Sequence, residues 1–437
     1  MAKIRISRLL APLVLLLVLC ASVRGQAPAA PALTSVITID HGPNSPAQQA
    51  KPYVVLVALD GFRYDYAQKY GAKNLLALAN AGASAPQGMI PSYPSVTFPN
   101  LYTLVTGLYP EHHGIVANSF YDPQSRRRFT MTDRNSSNDG SWYGGVPLWV
   151  LAEKQGMRSA CFFWLGSEAE IAGMRPSYYL RFQDDFPDEK RVDQVMAWLR
   201  LPPARRPHFI TLYYSNVDHT GHDYGPDSPQ TAAAVRHLDD MVGRLQSALK
   251  TLPLRVNLIV VSDHGMENVQ GIWIDLDRYA DLSEFTTVGS MLYPRTESAA
   301  ARAFAQLRRS GDRLRVYRRS QVPLVLHYGG NPRTGDPVVV PAGPYLVRAR
   351  PPANPAGDAM PPKGMHGYDP RQVNNMNAIF YAAGPDIVPG TKLPPFENIH
   401  VYPLIARILG LSTGPIDGKI EVLQRSLKTP PAAPRVP

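Results

Sequence analysis

The sequence predicts an α/β domain built on a mostly parallel, doubly wound sheet flanked by helices, with a smaller inserted cap region. Two observations predict this fold class: continuous apolar runs of strand length recur along the chain, and the intervals between them carry helical spacing. At 437 residues, 44% hydrophobic and 18% charged, the chain is long and apolar enough for a sizeable core. The same composition excludes a disordered or fibrous protein.

Four apolar runs are the predicted central strands. Each is almost continuously apolar, as expected of a strand buried on both faces, and lacks the alternation of a half-exposed strand. They are Tyr53–Leu59, Phe209–Tyr214, Val256–Val261 and Ala378–Ala382. The first three are followed within a few residues by Asp60, Asp218 and Asp263, and ligands of such sheets bind beyond the carboxyl ends of the strands.

The intervals between the strands predict helices. Gln230 to Leu252 is the clearest, because its apolar residues recur every three or four positions. Leu101 to Leu108 is a second apolar-periodic stretch, and Pro99 is favourable near a helix start. Residues about 285–360 break the rhythm with Pro, Arg and short β-like pieces, so we expect the inserted cap there, within a main domain over residues 52–424.

Both termini differ in composition from the domain. A basic start with Lys3, Arg5 and Arg8 precedes the apolar run Leu9–Cys20, which predicts a secretory signal peptide over residues 1–25, removed by a cut before Gln26. Cys20 follows Leu19 where a lipoprotein signal needs a small residue, so the sequence does not favour lipidation. Residues 26–51 predict a flexible linker and the Pro-rich residues 425–437 a tail. We therefore expect an exported protein, periplasmic or secreted, with no membrane contact after signal cleavage.

Charge and cysteine content narrow the partners. The formal net charge is +10, or about +6 once the four basic residues of the signal peptide are removed. This charge suits anionic small molecules and is too diffuse to predict binding to a nucleic-acid duplex. Only Cys161 remains after cleavage, so no intramolecular disulfide is expected. The oligomeric state stays open.

Histidines near the strand-end aspartates predict metal binding. Asp218 is followed by His222, Asp263 by His264, and a further histidine, His366, occurs in a short Gly-flanked segment. Carboxylate oxygen with imidazole nitrogen is a ligand mixture that Zn²⁺ accepts. With Asp60 there are six candidate ligands, more than one four-coordinate ion needs. Two ions sharing a site would use them, and paired metals suit an in-line displacement at phosphorus.

A hydroxyl nucleophile is available just before a predicted helix. The proline-stiffened loop from Pro91 to Asn100 contains Ser92, Ser95 and Thr97. A hydroxyl at a helix start lies near free N–H groups and the positive end of the helix dipole. These considerations do not choose among the three hydroxyls.

At this point a resemblance becomes specific. The segment from Thr97 to Ile115 closely resembles the signature of the nucleotide pyrophosphatase/phosphodiesterase family, within the alkaline phosphatase superfamily, and the chain is similar to its compact bacterial members. Further matches occur in family order over about 52–410, namely Leu59–Arg63, Phe163–Ser167, Asp218–His222, Ser262–Met266, His366–Tyr368 and Asn398–Leu404.

The resemblance implies a site, residue by residue. Thr97 would be the nucleophile and form a covalent threonyl-phosphoryl intermediate, and Asn118 would donate to a nonbridging phosphoryl oxygen. Phe98 and Tyr179 match positions where relatives hold a nucleotide base between aromatic rings, and His112, His113 and His219 match no ligand position. Two Zn²⁺ ions per chain are implied, one held by Asp60, Thr97, Asp263 and His264 and the other by Asp218, His222 and His366.

The function that follows is hydrolysis of nucleotide 5′-phosphodiesters and pyrophosphates to nucleoside 5′-monophosphates, with a small-molecule nucleotide or phosphodiester as the partner. Two enzymes of the same fold remain alternatives, a choline-phospholipid phosphodiesterase and a phosphomonoesterase, although no arginine lies between Arg63 and Arg126 to bind a dianionic phosphate. A sulfatase is disfavoured because Ser95 stands where its activation motif needs Arg. The non-enzyme alternative is an exported metal- or anion-binding protein.

Overall fold

The computed structural model of the protein describes residues 33–269, 271, 273–352 and 361–428. The predicted signal peptide, including Cys20, lies outside the described residues, as do the start of the predicted linker and the end of the predicted tail. Within the described residues, no helix has the length and apolar character needed to cross a membrane.

The helices and strands of the described residues alternate along the chain. The helices are α1 (Pro46–Gln49), α2 (Tyr66–Tyr70), α3 (Lys73–Ala81), α4 (Thr97–Thr106), α5 (Pro110–His113), α6 (Arg134–Ser137), α7 (Leu148–Lys154), α8 (Asp188–Leu199), α9 (Asn216–Tyr224), α10 (Pro229–Leu249), α11 (Glu297–Leu307) and α12 (Val401–Leu409). The strands are β1 (Ile37–Thr38), β2 (Tyr53–Leu59), β3 (Ala83–Ser84), β4 (Met89–Ile90), β5 (Ser119–Asp122), β6 (Arg127–Thr130), β7 (Ser159–Phe162), β8 (Tyr178–Tyr179), β9 (Phe209–Tyr214), β10 (Val256–Val261), β11 (Glu267–Asn268), β12 (Trp273–Asp275), β13 (Phe285–Val288), β14 (Met291–Pro294), β15 (Leu314–Tyr317), β16 (Val338–Pro341), β17 (Leu346–Arg348), β18 (Gly364–Met365), β19 (Phe380–Ala383), β20 (Thr391–Lys392) and β21 (Phe396–Glu397).

The main sheet confirms the predicted fold class. Its described strands run in the order β1-β8-β7-β9-β2-β10-β19-β3-β20, and the central strands β8, β7, β9, β2 and β10 are all parallel to their neighbours in that set. The predicted strands Tyr53–Leu59, Phe209–Tyr214 and Val256–Val261 have the bounds that the sequence indicates. The fourth, predicted over Ala378–Ala382, begins at Phe380 and pairs antiparallel with β10.

Strand β2 shows why its sequence is apolar throughout. Its alternate residues Val54, Leu56 and Ala58 pack into one hydrophobic cluster, while Val55, Val57 and Leu59 pack into another. Because successive side chains of a strand point to opposite faces, both faces of the sheet are covered. The predicted helix Gln230 to Leu252 is α10, which covers one face. It is capped by Ser228, whose hydroxyl accepts a hydrogen bond from the backbone N–H of Thr231.

The predicted linker differs from the structure in its second half. Ile37 and Thr38 pair antiparallel with Tyr179 and Tyr178, and Asn44 is buried, accepting a hydrogen bond from the backbone N–H of Arg158. Short edge strands and single buried polar residues have no apolar period, so composition alone indicates a linker there. The start of the predicted tail differs too, because Ser426 is buried and its carbonyl accepts from the N–H of Val388.

The region predicted as an insertion has its own small hydrophobic cluster. Helix α11 and the strand pairs β13–β14 and β15–β16 form most of it. The cluster extends from Ile274 to Ala349 and so begins before residue 285, because Trp273–Asp275 pairs in parallel with Leu346–Arg348. A pairing between segments this far apart in the chain leaves no local signal in the sequence.

Candidate active site

The candidate ligands converge at one edge of the main sheet. Strands β9, β2 and β10 are adjacent and parallel, so their carboxyl ends meet at that edge. Asp60 follows β2 directly, Asp263 lies two residues after β10, and Asp218 lies in the first turn of α9 just after β9. All three carboxylates are buried.

The first group of candidate ligands consists of Asp60, Asp263 and His264. The Nε2 atom of His264 lies 3.1 Å from Oδ2 of Asp263 and 3.6 Å from Oδ1 of Asp60. The hydroxyl of Tyr213 donates to the other oxygen of Asp60 and so orients that carboxylate.

The second group consists of Asp218, His222 and His366. Asp218 and His222 lie one turn apart on the same face of α9, with Nε2 of His222 3.4 Å from Oδ1 of Asp218. His366 comes from a distant part of the chain, and its Nε2 lies 3.5 Å from the same oxygen and 3.1 Å from Nε2 of His222.

The three histidines are oriented to present Nε2 as a ligand. The Nδ1 atom of His222 lies 2.9 Å from the carbonyl of Gly364, and that of His264 lies 2.9 Å from the carbonyl of Gly265. The Nδ1 atom of His366 lies 3.0 Å from the carbonyl of Ser95. A carbonyl only accepts, so each Nδ1 carries a proton, and Nε2 is the nitrogen left to bind a metal ion.

The chemistry of both groups fits metal ions. Oδ1 of Asp60, Oδ1 of Asp218 and Oδ2 of Asp263 are buried and have no hydrogen-bond partner among the described residues. Unpartnered buried carboxylate oxygens are costly unless a cation binds them. Ligand atoms about 2.0–2.1 Å from a tetrahedral zinc lie roughly 3.3 Å from one another, which is the spacing found within each group.

The electrostatics also favour bound cations. Burial raises the pKa of Asp60 well above its ordinary value, and the charges of Asp263 and Asp218 raise it further. Burial likewise raises the pKa of Asp218. Burial lowers the pKa of His366 well below its ordinary value, and neighbouring His264 and His222 add to this effect. The site therefore disfavours charge on Asp60 and Asp218 in the absence of a cation and keeps His366 neutral, the form that binds metals.

Of the three candidate hydroxyls, Thr97 is the one beside the ligands. It is the first residue of α4, and its Oγ1 lies 3.2 Å from Nε2 of His264. The hydroxyl of Ser92 donates to Asn398 and that of Ser95 to the carbonyl of Tyr368, both in the interior. The loop therefore places one half-buried hydroxyl beside the candidate ligands, while its other two hydroxyls form hydrogen bonds in the interior.

Asn118 lies next to the start of α4. Its Oδ1 accepts a 2.9 Å hydrogen bond from the backbone N–H of Phe98. Because the amide oxygen is used in this way, the Nδ2 group is left as the donor. Asn118 therefore combines a fixed orientation with a donor close to Thr97.

A cavity of about 410 Å³, which we call cavity 1, opens beside Asp60, Thr97 and Asp218. Phe98, one of the two aromatic residues that the resemblance assigns to substrate binding, is among its lining residues. The prediction for Tyr179 differs from the structure: Tyr179 pairs in β8 with Ile37 and Cys161 and packs against the core, and it does not line this cavity.

Two further aromatic residues line cavity 1, and no motif in the sequence indicates them. Phe182 is 40% exposed and lines the cavity, and Tyr213 contributes the hydroxyl that binds Asp60. The signal for Phe182 is an isolated aromatic residue in the polar segment 181–185, where no apolar period assigns it to a core. Tyr213 belongs to the apolar run of β9, so the sequence does not distinguish it from a core residue.

The remaining histidines of these motifs lie outside the two ligand groups. His112 is exposed and pairs with Asp417, and His113 is buried against Thr103. His219 is exposed, lies 3.5 Å from Asp184 and lines cavity 1.

Comparisons with known proteins identify relatives of the chain. The family profile described as type I phosphodiesterase / nucleotide pyrophosphatase matches residues 54–369. The chain is 36% identical over 414 residues to human ectonucleotide pyrophosphatase/phosphodiesterase family member 1. The aligned region covers 90% of this chain and 44% of the human protein. The chain is also 35% identical over 402 residues to the venom phosphodiesterase of Naja atra, covering 86% of this chain and 46% of that protein. The chain therefore spans less than half of these two relatives.

Two further matches cover most of the matched protein. An uncharacterised pyrophosphatase/phosphodiesterase of Schizosaccharomyces pombe is 35% identical over 389 residues, covering 84% of this chain and 79% of the yeast protein. Among solved structures, an inactive threonine-to-alanine variant of murine ectonucleotide pyrophosphatase/phosphodiesterase 5 in complex with AMP superimposes with a TM-score of 0.79 at 29% identity. That match covers 86% of this chain and all of the murine chain.

Proposed function

Because the chain belongs to the type I phosphodiesterase/nucleotide pyrophosphatase family, we propose that it hydrolyses nucleotide 5′-phosphodiesters and pyrophosphates to nucleoside 5′-monophosphates. The observation that carries this proposal is the juxtaposition of Thr97 with two buried groups of metal ligands at the edge of the main sheet. The predicted signal peptide supports a further part of the proposal, that the enzyme is exported and acts in the periplasm or outside the cell.

The cofactor we propose is a pair of zinc ions. Asp60, Thr97, Asp263 and His264 would hold one, and Asp218, His222 and His366 the other. Bound there, zinc would act as a Lewis acid, lowering the pKa of a ligating hydroxyl and neutralising the charge of a phosphoryl group.

Thr97 is the nucleophile in this proposal. Its Oγ1 loses its proton and attacks phosphorus in line, so that the Oγ1–phosphorus bond forms as the bond to the leaving oxygen breaks. The leaving oxygen takes up a proton and departs. Water then attacks the threonyl-phosphoryl intermediate, which releases the nucleoside 5′-monophosphate and restores the Thr97 hydroxyl.

Asn118 stabilises the charge that develops on the phosphoryl group. Its amide oxygen is already bonded to the N–H of Phe98, so Nδ2 is the group that donates to a nonbridging oxygen. A donor whose direction is set before the substrate binds costs no reorganisation during the reaction.

Cavity 1 is the proposed nucleoside site. Phe98 and Phe182 both line it, and either ring can stack on any base because every base has a π-face. Among its described lining residues, Arg134 is the only one with a lysine or arginine side chain. Its guanidinium already donates to the carbonyl of Phe182 and to Glu168. This shortage of available cations argues against a phosphomonoesterase, whose substrate carries a dianionic phosphate.

The test compares the p-nitrophenyl ester of thymidine 5′-monophosphate with p-nitrophenyl phosphate, using zinc-loaded protein. We expect a much higher kcat/KM for the diester, and a loss of about 10³-fold or more in Thr97→Ala. The matched control is Ser92→Ala, which removes a hydroxyl from the same loop and should retain activity. A preference for the monoester would overturn the proposed substrate class. An active Thr97→Ala variant would overturn the assignment of Thr97 as the nucleophile.

A further inference from the structure

A second cavity adjoins the candidate active site on a different side from cavity 1. This cavity, which we call cavity 2, has a volume of about 500 Å³. Its lining includes Asn118, His222 and His366, whereas cavity 1 includes Asp60, Thr97 and Asp218. The two cavities share no described lining residue, but Asp218 of cavity 1 lies 3.4 Å from His222 and 3.5 Å from His366 of cavity 2, so they approach each other at the second group of candidate ligands.

The walls of cavity 2 are mainly apolar and aromatic. The inserted region contributes Trp273, Val288, Met291 and Leu346, and the loop before α4 contributes Tyr93 and Val96. Trp273 and Met291 are only half-buried, so part of their apolar surface is available to a ligand. The insertion thus supplies one wall of a cavity that reaches the reacting centre.

The charged groups of cavity 2 are few among its described lining residues. These residues include no aspartate or glutamate, and Arg348 is the one lysine or arginine. Its Nε donates to Asp275 at 2.6 Å, and its guanidinium lies over the ring of Trp273, 4.8 Å from the centroid. A phosphate chain with two or three negative charges would find little compensation there, since Arg348 is already engaged by a carboxylate.

We propose that cavity 2 binds the leaving group of the phosphodiester and that its walls favour an apolar or aromatic alcohol. The inference rests on the proposed function and deepens it. An in-line displacement puts the leaving oxygen opposite the attacking Oγ1 of Thr97, and a nucleoside held in cavity 1 leaves cavity 2 as the adjoining space. The preferred substrates are then nucleotide 5′-esters of apolar alcohols.

The experiment compares the ethyl and 2-phenylethyl esters of thymidine 5′-monophosphate. Both leaving groups are unactivated primary alcohols, so their intrinsic leaving abilities are similar and the phenyl ring is the main difference. With zinc-loaded protein we expect kcat/KM for the 2-phenylethyl ester to exceed that for the ethyl ester by about tenfold or more. Binding of both esters to Thr97→Ala, measured by calorimetry, should show a preference in the same direction without turnover.

Two variants assign the preference to cavity 2. Trp273→Ala removes an aromatic wall and Met291→Lys adds a charge, and each should reduce the ratio of the two kcat/KM values towards one. The matched control is Phe182→Ala in cavity 1, which should lower kcat/KM for both esters and keep their ratio. Circular dichroism and zinc content verify that each variant is folded and loaded.

The outcomes separate this inference from the proposed function. If the wild type hydrolyses both esters with a kcat/KM ratio near one, the inference is overturned and the proposed function stands. The same holds if Phe182→Ala abolishes the preference and both cavity 2 variants keep it. Failure of the wild type to hydrolyse any nucleotide diester would overturn the proposed function. In that case equal binding of the two esters to Thr97→Ala would overturn the inference as well.

Discussion

Gly61 couples the two ligand groups, and replacing it with alanine is the sharpest test of the site's geometry. It follows Asp60 and has φ of +66°, a left-handed conformation that costs a residue with Cβ about 1–2 kcal/mol. A Cβ there would lie 2.8 Å from Cα and 3.1 Å from Oδ1 of Asp218. Asp60 and Asp218 belong to different groups, so relief of this overlap must move one group relative to the other.

The expected magnitude has two parts. The conformational cost applies wherever φ is positive, while the overlap with the Asp218 backbone adds about 1–3 kcal/mol, as overpacking does. Gly61→Ala should therefore destabilise the protein by about 2–5 kcal/mol in total. Displacement of ligand supports costs about 10–100-fold in metal affinity or activity in other metal sites, and we expect a loss of that size here.

Gly71 offers a matched control. Its φ is +69°, it ends helix α2, and a Cβ added there would meet nothing within 4 Å. Gly71→Ala should thus show the conformational cost of about 1–2 kcal/mol alone, with full zinc binding and activity. The assay combines denaturant unfolding, zinc titration and turnover of the p-nitrophenyl ester. Equal stability losses in both variants, with full activity in Gly61→Ala, would refute the reasoning.

Three further predictions follow from the same contacts. Phe182→Ala should raise KM for the p-nitrophenyl nucleotide ester by about 5–100-fold, because a stacking ring is lost, whereas Tyr179→Phe should leave KM unchanged. A raised KM in Tyr179→Phe with an unchanged KM in Phe182→Ala would show instead that Tyr179 contacts the substrate. Zinc affinity should fall as the pH falls below the raised pKa of Asp60, because the protonated carboxyl must lose its proton to bind zinc; the loss is up to about tenfold per pH unit per proton. Calorimetry at falling pH in buffers of different ionisation enthalpy measures the released proton, and an affinity independent of pH with no release would contradict the prediction. Glu153→Ala should lower the free energy of unfolding, measured with denaturant, by about 2–5 kcal/mol. The reason is that Oε1 of the buried Glu153 accepts hydrogen bonds from the backbone N–H groups of Ser159 and Ser177, at 2.8 Å each. A loss below about 0.5 kcal/mol would show that other acceptors replace the carboxylate.

The sequence by itself determined the central sheet and indicated the candidate metal ligands. Strands such as Tyr53–Leu59 are buried on both faces, so each residue is apolar and the signal is local and complete. Asp60, Asp218 and Asp263 follow adjacent parallel strands, and the rule that such strand ends meet at one edge was enough to bring them together. The ligands' division into two groups followed from the resemblance and agrees with the geometry.

Only the tertiary structure decided which neighbouring residues share the site. The position of Phe182 rather than Tyr179 in cavity 1 depends on where side chains point after distant segments pack. The resemblance had already indicated Thr97, and the structure adds that its hydroxyl, unlike those of Ser92 and Ser95, lies beside His264. The pairing of Ile37 and Thr38 with β8 and the wall that Trp273 forms in cavity 2 depend on contacts between segments far apart in the chain. Local patterns report which face of an element is apolar, and they carry no record of which partner covers that face.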